Sequence, residues 1–93
     1  MLNIILGGEK MSEYKTVKDI TEQVKKKFPS GIEVVEAKIV LDPYDGYYLV
    51  IVYKIDDIQY ELKQKIYANA SETLLHMVSQ IIDFYERTHN IQF

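Results

Sequence analysis

The alternation of apolar and polar side chains through residues 32–67 constrains the fold of this chain most strongly. The stretch divides into three runs, residues 32–41, 47–55 and 58–67, which are rich in β-branched and aromatic residues. A period of two predicts β-strands rather than helices. The separating segments, residues 42–46 and 56–57, are short enough for hairpin turns. The sequence therefore predicts a three-stranded antiparallel meander.

Apolar residues at a spacing of three and four predict a helix on each side of this meander, over residues 12–28 and 69–88. The first stripe consists of Val17, Ile20, Val24 and Phe28. The second consists of Leu74, Leu75, Val78, Ile81, Ile82 and Tyr85, with Met77 and Phe84 at its margin. Asn69 or Ser71 is the expected cap of the second helix. The predicted class is α+β, with the order α-β-β-β-α and both helices packed on one face of the sheet.

The first ten residues have two interpretations. Residues 6–11 can be back-translated as TTA-GGA-GGT-GAA-AAA-ATG, which contains a purine-rich AGGAGG, a short spacer and a start codon. This is the form of a bacterial ribosome-binding site, so we expect residues 1–10 to be a non-native or disordered leader. Residues 11–93 would then form the single domain of a bacterial or phage protein. In the alternative interpretation, residues 2–6 form an extra strand, because leucine and isoleucine favour strands.

Composition excludes several classes of protein. A chain of 93 residues is expected to form one domain. The net charge of −3 gives no general attraction to nucleic acid or to an anionic membrane. The absence of cysteine excludes disulfides and thiolate metal sites. No apolar run approaches the roughly 20 residues of a membrane helix. We therefore expect a cytoplasmic protein that does not associate with membranes.

The sequence contains no recognisable catalytic or cofactor motif. No serine or threonine lies in a nucleophile elbow, and Gly7-Gly8 is not followed by the lysine of a phosphate-binding loop. The two histidines, His76 and His89, lack further metal ligands at a typical spacing. The prediction is a non-catalytic protein with no cofactor and no metal.

The face of the meander that points away from the helices has an unusual composition. We expect Leu49, Ile51 and Tyr53 on the helix side, together with Val35 and Ala37 of the preceding strand. The opposite face carries apolar residues along its centre and charged residues beside them, which is typical of an interface. The predicted interaction surface consists of Val40, Tyr44, Tyr48, Val50, Val52 and Lys63. In the alternative interpretation, these valines serve strand propensity and lysine stems cover them.

The order α-β-β-β-α resembles that of double-stranded-RNA-binding domains, and with a strand at residues 2–6 it is similar to that of ribosome-hibernation factors. RNA-binding members of the first family place basic residues at the start of the second helix and insert the loop between the first two strands into the minor groove. Here the helix start is Asn69-Ala70-Ser71-Glu72, and the loop carries Asp42 and Asp45. Both segments lack the positive charge that RNA binding requires, so no residue role is carried over.

Three functional hypotheses follow from the sequence. The leading one is a protein-interaction module that forms a homodimer through the face of Tyr48, Val50 and Val52 or through an edge strand. The second is an RNA-binding domain that uses residues 25–27, Lys63 and Lys65. The third is an acidic, phage-type inhibitor of a basic host protein.

Overall fold

A four-stranded antiparallel sheet forms the framework of the protein, in a computed structural model that describes residues 15–89. The elements are β1 (Lys15–Asp19), α1 (Thr21–Lys25), β2 (Glu33–Asp42), β3 (Gly46–Ile55), β4 (Ile58–Lys65) and α2 (Ala70–His89). The strands are arranged in sequence order. The α+β class and the three-stranded meander, here β2 to β4, are thus confirmed. The predicted leader and the predicted strand at residues 2–6 lie outside the described residues.

Both hairpin turns of the meander lie where the sequence predicts them. Gly46 has a φ of +96°, which glycine adopts without strain. Asp56 and Asp57 have φ values of 55° and 68°, the left-handed pair that a two-residue type I′ turn requires. This turn pairs Ile55 with Ile58, and the register continues up the hairpin. The β3–β4 register is therefore the one that a two-residue turn at 56–57 produces.

The prediction of a helix over residues 12–28 is wrong in its extent. Lys15–Asp19 forms the edge strand β1, and the helix is limited to Thr21–Lys25. Val17, which was assigned to the apolar stripe of this helix, is 54% exposed in β1. The β-branched residues Thr16 and Val17 favour a strand when an edge is available for pairing, and β2 supplies that edge.

Thr21 joins β1, α1 and β2 through its hydroxyl group. The buried backbone N–H of Ala37 donates a 3.0 Å hydrogen bond to Thr21 Oγ1, and Thr21 Oγ1 donates a 2.6 Å bond to Asp19 Oδ1. Asp19 Oδ1 also accepts from the backbone N–H of Thr21, at 2.9 Å. Asp19 thereby turns the chain out of β1, and the threonine hydroxyl satisfies the amide of β2 that the strand no longer reaches.

Replacing Thr21 by valine is expected to lower the free energy of unfolding by about 1–3 kcal/mol, because the amide of Ala37 then lacks an acceptor in a buried position. Thr21→Ser keeps the hydroxyl and serves as the control. Urea unfolding followed by circular dichroism measures both variants. Equal destabilisation by the two substitutions would show that the hydroxyl does not have this role.

A β-bulge in β2 changes which valine reaches the core. The register shifts between Val34, which pairs with Tyr53, and Glu36, which pairs with Val52. Val34 is 4% exposed, whereas Val35 is 42% exposed. The prediction of Val35 on the helix side is therefore wrong, because the extra residue breaks the alternation that the sequence suggests.

Both helices pack on one face of the sheet, as predicted. The core cluster joins Val24 of α1 with Met77 and Ile81 of α2, against Leu49 and Ile51 of β3. The remaining buried members of this cluster are Ile20, Ile32, Val34, Ala37, Tyr53 and Ile55. All of these sheet residues belong to the helix side, so the core explains only one face of β3.

Helix α2 is capped by Asn69, one of the two predicted caps, and its apolar stripe is rotated from the predicted one. The backbone N–H of Glu72 donates a 2.8 Å hydrogen bond to Asn69 Oδ1. Met77, placed at the margin by the sequence, is fully buried, whereas Leu75, placed in the stripe, is 65% exposed. Within residues 15–89, neither helix is long and apolar enough to cross a membrane.

Gly31 allows the segment between α1 and β2 to approach α2 closely. A Cβ atom at this position would lie 2.6 Å from Cζ of Tyr85 and would also contact its hydroxyl oxygen. A side chain at this position would therefore require the ring of Tyr85 to move.

Candidate functional site

The surface of the sheet opposite the helices, called here the second face, is the candidate functional site. The antiparallel register places its side chains in rows across β2, β3 and β4. The tyrosine row contains Val40, Tyr48 and Lys65; the lysine row contains Lys38, Val50 and Lys63; and the glutamate row contains Glu36, Val52 and Glu61. The rows succeed one another along β3 at intervals of two residues.

The structure brings five of the six predicted surface residues together on the second face. Val40 pairs with Tyr48, and Val50 pairs with Lys63. Val52 follows Val50 on the same side of β3. Tyr44, the sixth residue, lies in the β2–β3 turn and is 85% exposed. The hydrogen-bonded register therefore makes these positions neighbours.

Burial differs among these residues in a way that the sequence does not show. Val40 and Val50 are only 4% and 7% exposed within the single chain, so they offer little contact surface. Tyr48 and Val52 are half-buried, whereas Lys63 is exposed. The accessible centre of the second face thus consists of Tyr48 and Val52 among charged neighbours.

The charges on the second face are sorted by row. Lys38 and Lys63 flank Val50 on its two sides, and Glu36 and Glu61 flank Val52 in the same way. The two rows contact each other along β2, where Lys38 Nζ lies 3.5 Å from Glu36 Oε2. The side chains of this pair are 29% and 45% exposed, respectively, so both charges remain accessible to solvent. Across β2, β3 and β4, a band of positive charge therefore lies beside a band of negative charge, whereas at the sheet edge Asp19 of β1 pairs with Lys38.

Asp45 links the β2–β3 turn to the tyrosine row. The Tyr48 hydroxyl donates to Asp45 Oδ2, and Lys65 Nζ lies 2.9 Å from Asp45 Oδ1. The hydrogen bond from Tyr48, followed by that from Lys65, lowers the pKa of Asp45 below its ordinary value. The hydrogen bond between Lys65 and Asp45 also raises the pKa of Lys65. In addition, Lys63 Nζ lies 4.9 Å from the ring centroid of Tyr48, a cation–π geometry. These contacts hold the tyrosine in one orientation.

The lowered pKa of Asp45 gives stability a defined dependence on pH. Because the carboxylate is favoured in the folded state, its contribution is present above the unfolded pKa of 3.8 and is lost as pH falls through the lower folded value. We expect the urea midpoint of the wild type to fall on acidification from pH 7 to pH 3, and Asp45→Asn to reduce that fall. Tyr48→Phe should move the acid transition to higher pH, since it removes the largest cause of the shift. Identical acid profiles for all three proteins would contradict this role of Asp45.

Two other locations were candidates for a site. Among residues 15–89, no group of three or more histidine, aspartate or glutamate side chains could hold a metal ion. An open groove beside α1 is lined in part by Asp19, Thr21 and Lys25. The Thr21 hydroxyl donates a hydrogen bond to Asp19, and Lys25 Nζ lies 3.5 Å from Glu22 Oε2. These polar groups stabilise the junction between β1 and α1 rather than converging on the groove.

Comparison of the chain with models of protein families, with characterised proteins and with solved structures finds no match. The function must therefore be inferred from the second face itself. The sequence pattern predicts the apolar centre and charged flanks of this face but not the sorting of its charges into rows. The hairpin turns were the available signal, since the β2–β3 and β3–β4 registers together define the rows.

Proposed function

We propose that this protein is a non-catalytic interaction module that self-associates through its second face. The observation that supports this proposal is the one-sided placement of α1 and α2, which both pack on the opposite side of the sheet. In the described part of the chain, no helix covers the second face. Tyr48 and Val52 are accessible at its centre, and charged side chains surround them.

The composition of the second face supports a protein partner. Tyrosine presents a large amphipathic surface at low entropic cost and is frequent at interface centres. Lysine and glutamate occupy adjacent rows, so the face attracts neither a polyanion nor a polycation as a whole. A second copy of the chain, which carries the same mixture of charges, is the partner that this face fits best.

The size of the second face indicates a reversible dimer. Four strands about 4.8 Å apart and about eight residues long at about 3.3 Å each give a sheet of roughly 500 Å². A standard interface buries about 800 Å² on each partner. Because Val40 and Val50 are already buried, little additional apolar surface is available. We therefore expect association in the micromolar range rather than an obligate dimer.

Sedimentation velocity over micromolar to millimolar concentrations tests the proposed function. The sedimentation coefficient is expected to rise with concentration from that of a monomer to that of a dimer. A monomer at every concentration would overturn self-association. The position of the interface is tested separately by the substitution Val52→Lys.

A further inference from the structure

The sorted charges of the second face define how two copies can pair. We infer that the protein forms a two-fold dimer whose axis crosses the strands between Val50 and Val52, so that the lysine row of each copy faces the glutamate row of the other. This inference rests on the proposed self-association and specifies the arrangement of the partner. It is carried by the register of β2, β3 and β4.

A face-to-face dimer of identical chains has its two-fold axis in the plane between the sheets. In aligned packing, that axis either crosses the strands or runs along them. An axis that crosses the strands at the level of Ile51 reverses the direction of the partner's strands. It places the lysine row of each copy, which contains Val50, over the glutamate row of the other, which contains Val52. Each strand then lies over its own equivalent in the partner. Lys38 therefore faces the partner's Glu36, and Lys63 faces the partner's Glu61.

An axis along β3 gives the opposite electrostatic result. It places each row over the same row of the partner, and it places β2 over the partner's β4. Lys38 then faces the partner's Lys63, and Glu36 faces the partner's Glu61. Every central charge meets a like charge, an arrangement that interfaces avoid because it is strongly unfavourable. The charge pattern thus selects the axis that crosses the strands.

The charge complementarity of the crossed axis applies to the centre of the second face. Packed sheets lie about 10 Å apart and are rotated by about 30°, so alignment deteriorates towards the sheet edges. The lysine and glutamate rows adjoin the axis, where this rotation displaces side chains least. Outside the centre, the crossed axis brings Tyr48, whose ring already contacts Lys63 of its own chain, towards the partner's Lys54.

Complementary variants of Lys38 and Glu36 test the axis. Lys38→Glu gives a chain with glutamate at both positions, and Glu36→Lys gives a chain with lysine at both. With the crossed axis, each variant alone meets like charges in its partner, so we expect its self-association to weaken at least about tenfold at low ionic strength. An equimolar mixture should form a one-to-one heterodimer within a few-fold of wild-type affinity, because all four contacts become attractive.

The alternative axis predicts a different pattern for the same proteins. Lys38→Glu would then face the partner's Lys63 and associate more tightly than the wild type. That result, or a mixture that associates no better than its components, would overturn the crossed axis while leaving self-association intact. A wild type that remains monomeric would instead overturn the proposed function on which the axis rests.

A double variant keeps the test decisive if a single variant does not fold. Glu36→Lys combined with Lys38→Glu preserves the ion pair within β2. The crossed axis predicts wild-type affinity for this protein, since its charges are exchanged on both copies. The axis along β3 predicts tighter association, since both positions then face opposite charges. Circular dichroism establishes folding for each variant before sedimentation equilibrium is measured.

Discussion

Replacing Ile51 by alanine is expected to lower the free energy of unfolding by about 2–5 kcal/mol, the range for truncating a large aliphatic side chain in a packed core. Ile51 is fully buried in the central strand β3 and belongs to the cluster that includes Met77 and Ile81 of α2. A chain of this length has a total stability of about 5–15 kcal/mol. The substitution therefore removes a large share of the stability.

The adjacent residue provides a matched control. Val52 is half-buried and points to the second face, so Val52→Ala should cost about 1 kcal/mol or less. Both variants are measured by urea unfolding at concentrations where the monomer predominates, since association would add to apparent stability. Equal losses from the two substitutions would contradict the assignment of one face of β3 to the core and the other to solvent.

The meander could be predicted from sequence because its signals are local and agree with one another. Strict alternation in β4 and the two-residue turn Asp56-Asp57 define the β3–β4 register without reference to the rest of the chain. Asn69 caps α2 through a contact three residues away. Each of these features depends on neighbouring residues, which is why periodicity and turn chemistry sufficed.

The N-terminal part could not be predicted because its structure depends on tertiary contacts. Val17, Ile20 and Val24 have helical spacing, but pairing with β2 converts the first of them into part of a strand. The side chain of Asp19 and the hydroxyl of Thr21 then form the turn between strand and helix. Helix propensity is a weak preference, and an available sheet edge overrides it.

The second face could be predicted in composition but not in burial or in charge arrangement. The sequence placed Tyr48, Val50 and Val52 on one side of β3, and the structure agrees. It gave no indication that Val50 is almost fully buried within the single chain. The alignment of Lys38 with Lys63 also required the β2–β3 register. The bulge in β2 displaces Val35 but precedes Lys38, so it does not affect this alignment.

Val52→Lys is expected to weaken self-association about a hundredfold, which corresponds to about 2.7 kcal/mol. In the proposed dimer, the new ammonium group is enclosed between the sheets and faces the lysine row of the partner. Like charges brought together at an interface cost several kcal/mol. Within its own chain the new lysine lies between Glu36 and Glu61, where opposite charges favour the folded monomer. The substitution should therefore separate association from folding.

Leu75→Lys is the control for this substitution. Leu75 is 65% exposed on α2, on the other side of the molecule, and its replacement makes the same change in net charge. We expect this variant to associate like the wild type. Similar weakening by both variants would indicate that net charge, rather than the second face, governs association.

Sedimentation equilibrium of the wild type, Val52→Lys and Leu75→Lys, at matched concentrations and ionic strength, tests most directly whether the second face is the interface. We predict the same monomer–dimer equilibrium for the wild type and Leu75→Lys, and a folded Val52→Lys protein whose dimer dissociation constant is about a hundredfold higher. Dimerisation of Val52→Lys with wild-type affinity, or a wild type that is monomeric at millimolar concentration, would contradict the proposed role of this face.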